Sequence, residues 1–96
     1  MPSPTFKIEI ERLFENERFE DIKILINNIH STLMDIVDTD FNDDNEEEMY
    51  AILSTLDTFD FIRRLVMNRR INEMIEVINN SSIMSKIDFP IDKYYK

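Results

Sequence analysis

The stretch Asp38-Thr39-Asp40-Phe41-Asn42-Asp43-Asp44 sets oxygen-bearing side chains at alternate positions, the spacing with which a calcium loop begins. The pattern then breaks. The sixth position, where a sharp turn calls for glycine, is Asp43; the eighth, usually apolar, is Asn45; the twelfth, where a bidentate glutamate belongs, is Met49. A calcium site is therefore not expected. His30 is the one histidine, with no cysteine in the chain to join it, so a metal site would rest on carboxylates alone. On the polar side of its helix it reads as a solvated residue. Serine, threonine and aspartate are plentiful, but a nucleophile needs an oriented base and an oxyanion site. One histidine and no glycine leave little from which to build them. The absence of glycine also removes the loops that cradle phosphates. We expect no catalytic residues, no metal and no cofactor.

What remains is charge. From Asp35 to Glu48 there are eight carboxylates and no base, and seven of them fall within the eleven positions 38–48. Part of this run is expected on structural grounds alone, as a polar loop followed by glutamates that complement a helix dipole. The functional alternative is an electrostatic docking surface formed by Asp38, Asp40, Asp43, Asp44, Glu46, Glu47 and Glu48, with Phe41 as an apolar anchor in their midst. The net charge of −9 is unevenly placed. Residues 1–60 carry sixteen acidic and four basic side chains (−12), and residues 61–96 carry four acidic and seven basic (+3). Direct contact with nucleic acid or with an anionic membrane is thus disfavoured, and a basic protein surface is the expected partner. Arg63, Arg64, Arg69 and Arg70 make a thin basic cluster, expected to pair with Asp60, Glu73 and Glu76 or with the acidic face of a second copy in a homodimer. The exposed pair Tyr94-Tyr95 is either a frayed end or part of an interface.

The elements that would carry these groups read as helices. Ser3 is placed to cap a first helix with Pro4 in its opening turn, over about 5–15, and Phe6, Ile10, Leu13 and Phe14 then share one face. Residues 6–10 also alternate like a strand, but the following residues continue the helical period. Phe19, Ile22, Ile26, Ile29, Leu33 and Ile36 are spaced 3, 4, 3, 4, 3, which predicts a helix over about 17–38 with a heptad-like seam. A loop over 39–45 leads to a third helix, 46–67, capped by Asn45 or Asp44. Past Met67 the apolar stripe moves to Ile71, Met74, Ile75 and Ile78, a rotation that requires a corner at Asn68-Arg69-Arg70 and a fourth helix near 70–80. Residues 82–96 contain Pro90 and no helical period, and read as an extended tail laid on the core through Ile87, Phe89 and Ile91. Ile26, Ile29, Leu33 and Ile62 are the expected core.

Residues 12–28 can be laid on 64–80 at an offset of 52, with seven of the 17 positions identical. Asn16 matches Asn68, and either could take the left-handed backbone that glycine otherwise supplies at a helix end. Each copy would be a helix–corner–helix unit. Two such units pack as a bundle or stack as repeats, although amphipathic helix pairs can also resemble one another by chance.

The expected fold is therefore all-α: one domain over 1–96, a small four-helix bundle of two helix–corner–helix units with an extended C-terminal tail. With no cysteine, no signal-like start and no apolar run near 18 residues, the expected location is the cytoplasm. The expected function is a binding module that inhibits or regulates a basic, nucleic-acid-handling protein. In size and charge, though not in any motif, the chain is similar to phage-encoded anti-CRISPR and DNA-mimic inhibitors. The alternative is a structural or adaptor subunit that self-associates or joins a larger complex through apolar helix faces.

Overall fold

In the computed structural model, residues 4–91 are described. They form five α-helices and a short 3-10 turn: α1 Phe6–Glu15, α2 Phe19–Asp40, α3 Glu46–Met67, α4 Ile71–Ile78, α5 Ser81–Met84 and the turn Ser85–Ile87. No strand occurs among the described residues. The first helix starts later than expected. Thr5, not Ser3, is the cap, its hydroxyl accepting the Ile8 N–H, and Pro4 precedes the helix. Ser3 lies outside the described residues.

The helices α2 and α3 run antiparallel, as cross-links between Asn27 and Arg63 and between His30 and Asp60 show. The seam of α2 turns onto α3: Ile22, Ile26 and Ile29 are fully buried and Leu33 nearly so, facing a core that includes Leu56, Phe59 and Ile62. The four expected core residues are all buried. The short helices α1 and α4 flank this pair. Around Phe6 three rings meet, Phe6 with Phe59 at 4.5 Å and with Phe89 at 5.7 Å.

Two matching corners join α1 to α2 and α3 to α4. In the first, the Arg18 N–H donates to Leu13 C=O and the Glu17 N–H to Phe14 C=O; in the second, Arg70 donates to Leu65 and Arg69 to Val66. This pair of bonds is the Schellman arrangement, which satisfies carbonyls left open at a helix end. The asparagines are not the left-handed residues. Glu17 (φ 57°) and Arg69 (φ 52°) are, one position later. The Asn16 and Asn68 side chains instead donate to the carbonyls of Arg12 and Arg64. An arginine just past each corner then pairs with a carboxylate in the next turn, Arg18 with Asp21 and Arg70 with Glu73, both at 2.5 Å. Every one of these features recurs at the offset of 52 seen in the sequence. Buried positions recur as well: Ile10 with Ile62, Leu13 with Leu65, Ile22 with Met74, Leu25 with Val77.

The segment after α4 is not an extended tail from residue 82. Asn80 opens α5 by accepting the Ser82 and Ile83 N–H groups on its side chain, and the chain stays helical to Ile87. The two asparagines at 79 and 80 therefore end one helix and start another. Met84 and Ile87 are buried. Only the last stretch is extended: Thr5 and Pro90 form an antiparallel bridge, with the Phe6 N–H donating to Phe89 C=O at 2.8 Å. Tyr94 and Tyr95 lie outside the described residues.

Two outcomes follow. Leu33→Ala removes a buried side chain at the centre of the α2–α3 seam and should cost about 2–5 kcal/mol in urea unfolding. Glycine at either corner removes the steric penalty of a left-handed non-glycine residue, so Glu17→Gly or Arg69→Gly should raise stability by about 0.5–1 kcal/mol. A loss on either substitution would contradict the corner geometry.

Candidate functional site

The turn between α2 and α3 carries the acidic run. The expected loop over 39–45 is shorter in the structure, because α2 continues to Asp40 and only 41–45 is non-helical. Asp38 and Asp40 thus sit on a helical turn, so the backbone curl that a calcium loop requires does not form. The turn is held by asparagines. The Asn42 side-chain oxygen accepts the Asp44 and Asn45 N–H groups, and the Asn45 side-chain oxygen accepts the Asn42 N–H at 2.9 Å. Both asparagine amides also donate to the Asp40 carbonyl, one of those left open at the end of α2. Asn45 occupies the cap position of α3, but its side chain serves the turn and makes no cap hydrogen bond to the helix.

With amides doing this work, the carboxylates are left outside. Asp35, Asp38, Asp40, Asp43, Asp44, Glu46, Glu47 and Glu48 are all exposed. No ion pair among the described residues reaches any of them. Phe41 is 42% exposed and Tyr50 55% exposed, and the two rings meet edge to face at 5.8 Å. Glu46, one helical turn away, raises the Tyr50 phenol pKa above its ordinary 10.0, through side-chain hydrogen bonding to its carboxylate and through its negative charge. The sequence reading singled out Phe41 but missed Tyr50. Its spacing from Glu46, one helical turn, was the available signal.

The dipole explanation covers only part of this cluster. Glu46, Glu47 and Glu48 fill the first turn of α3, where negative charge is favoured. Asp38 and Asp40 occupy the last turn of α2, where it is disfavoured, and no basic residue offsets them there.

Some of the other charged groups are held in local pairs. Arg63 reaches Asp60 at 3.0 Å and Asn27 at 3.3 Å, and His30 lies 3.6 Å from the same Asp60 oxygen. His30 is therefore a half-buried member of the α2–α3 seam, not a freely solvated residue. Arg70 pairs with Glu73, as expected; Arg64, Arg69 and Glu76 form no ion pair among the described residues. No group of three or more histidine, aspartate or glutamate side chains among the described residues is arranged to hold a metal ion. No helix among them is long and apolar enough to cross a membrane.

The opposite end of the molecule carries a second feature. The stripe expected on α4 splits. Met74 and Val77 are buried, while Ile71 and Ile75 are 38% and 43% exposed. Ile71 faces the α1–α2 corner across a groove of about 420 Å3, whose other lining residues are Phe14, Glu15, Glu17, Phe19 and Arg69. A hollow of about 330 Å3 with Glu11, Ile75 and Ile78 on its walls shares Phe14 and Glu15 with it. The sequence reading had placed Ile71, Met74, Ile75 and Ile78 on one face and had not included Val77, which is buried.

Comparison with protein-family models, with curated proteins and with solved structures finds no match to this chain. Its functional reading therefore rests on its own geometry.

A direct check of the tip is the titration of Tyr50, followed by absorbance near 295 nm in a chain carrying Tyr94→Phe and Tyr95→Phe. The phenol should ionise at higher pH than free tyrosine, and Glu46→Gln should bring it down. An unchanged titration would contradict the interaction between Glu46 and Tyr50.

Proposed function

We propose that the protein is an acidic helical binding module that docks its α2–α3 tip on a basic protein surface. In this reading it inhibits or regulates a partner that itself handles nucleic acid, in the manner of phage or viral anti-defence and DNA-mimic proteins. It acts by binding and not by catalysis, and its working compartment is the host cytoplasm. The scaffold is a small four-helix bundle, in which α1 with α2 and α3 with α4 are the two helix–corner–helix units.

The observation that carries the reading is the placement of Asp38 and Asp40. Charge that merely suits the fold belongs at helix N-termini, and these two stand at a C-terminus with nothing to offset them. A chain that keeps unfavourable charge in a small, fixed turn gains from it elsewhere, and a basic partner is the simplest place. Phe41 and Tyr50 add the apolar, amphipathic contact on which interface affinity concentrates. Uncompensated carboxylates around them steer the encounter and stand in for phosphates at a site built to hold them.

The test uses the chain as bait. Proteins retained by the wild type should bear basic surfaces and should be lost from a variant carrying Asp40→Asn, Asp43→Asn, Asp44→Asn and Glu47→Gln. With a retained partner in hand, association at low salt should slow by about an order of magnitude or more in that variant, with a smaller difference at high salt. Asp38→Asn with Asp40→Asn should weaken binding while leaving stability equal or about a few tenths of a kcal/mol higher. Retention of the same proteins by the wild type and the variant, with salt-independent kinetics, would retire this reading in favour of an adaptor that binds through apolar faces.

A further inference from the structure

The acidic tip and the corners lie at opposite ends of the α2–α3 pair, each helix of 22 residues and so about 33 Å long. The long axis of the molecule is 40 Å. What stands at the corner end is therefore out of reach of any contact made by the tip.

We infer that the groove between the α1–α2 corner and α4 is a second docking site, and that its occupant is an amphipathic helix of a partner protein with an aliphatic face and a basic flank. The floor is apolar and partly open. Phe14 and Phe19 form it in edge-to-face contact at 5.9 Å, and Ile71 and Ile75 stand on the far wall. The near wall is acidic. Glu11, Glu15 and Glu17 line it, and none of them is in an ion pair among the described residues. The arginines that might have neutralised that wall are engaged elsewhere, Arg12 with Glu9 and Arg18 with Asp21. Arg69 is the one base on the rim, so the groove keeps an excess of negative charge.

Charge decides the occupant. A second copy docked groove to groove would set Glu11, Glu15 and Glu17 against their own counterparts, whereas lysine or arginine beside an apolar stripe complements both wall and floor. Backbone geometry decides its form. The walls are helices, and the described residues offer no free strand edge to pair with, only the isolated Thr5–Pro90 bridge. Helix-in-groove docking, with anchors at i, i+4 and i+7, is the mode that fits such walls. Met74 and Val77 already hold α4 against the core, so Ile71 and Ile75 are not needed to anchor that helix.

The probe is a fluorescein-labelled peptide of about 16 residues with leucine at i, i+4, i+7 and i+11 and lysine flanking them, a period matched to helix geometry. A peptide of the same composition with the leucines scrambled is the control, because it keeps the charge that the tip also attracts. The full chain should bind the ordered peptide at least tenfold more tightly than the scrambled one in fluorescence anisotropy. Ile71→Asp with Ile75→Asp, at exposed positions, should abolish that preference. Glu15→Gln with Glu17→Gln, which touches no buried side chain, should weaken the ordered peptide several-fold at low salt and little at high salt. The variant with four neutralised tip residues should keep the preference, so failure here is separable from failure of the tip as a docking site. Equal binding of both peptides, a preference that survives both groove variants, or one lost with the tip variant would overturn the inference. So would sedimentation showing a wild-type dimer that Ile71→Asp with Ile75→Asp dissociates, since that places a second copy in the groove.

Discussion

The burial of one face of α2 against α3 is the constraint on which the rest of the molecule depends. Ile22, Ile26, Ile29 and Leu33 are removed from water almost completely, and their partners include Phe59 and Ile62. At roughly 1.5–3 kcal/mol for each fully buried aliphatic side chain, this seam is large against the marginal stability of a domain of this size. Short helices such as α1 and α4, with 10 and 8 residues, are not stable by themselves and must borrow from it. The seam also fixes geometry. Two antiparallel helices of equal length hold the connecting turn at one end and both corners at the other.

A chain without glycine had to make those corners from other residues. Glu17 and Arg69 accept left-handed backbone at a steric cost, and the bonds that satisfy the helix ends hold them there. The corners have a second consequence. Their left-handed residues carry opposite charges and line the same groove, so the local solution to helix termination also shapes that surface. At the other end the same economy appears in a different form. Asparagine amides close the α2–α3 turn, and no carboxylate of the turn is consumed in holding it.

Much of the helical plan was legible because apolar periodicity reports burial directly. The 3, 4, 3, 4, 3 spacing of α2 identified its buried face, and the rotation of the stripe near Met67 located the second corner. The repeat at offset 52 was visible as seven identities, and its physical meaning emerged in the matched hydrogen bonds of the two corners. Other features were hidden for identifiable reasons. The left-handed residue lies one place after the asparagine because the asparagine side chain reaches back to a carbonyl and keeps its own backbone non-left-handed. The helical turn after Asn80 was masked by two consecutive asparagines, which stop one helix and cap the next. That Met74 is buried together with Val77, which the expected stripe omitted, while Ile71 and Ile75 stay open depends on how α4 leans on α3, which spacing within eight residues does not encode. At the tip, composition located the carboxylates; that two of them, Asp38 and Asp40, oppose the dipole of α2 became visible only once that helix was seen to run on to Asp40.

The central claim is that the α2–α3 tip is the surface a basic partner covers. Amide hydrogen exchange measured on the full chain, alone and in complex with a partner it retains, addresses that claim directly. The account predicts that protection gained on binding centres on residues 38–50, with Phe41, Tyr50 and the intervening carboxylates in the protected segment. Protection confined to the corner end, at residues 14–19 and 69–75, with the tip exchanging as in the free chain, would contradict it.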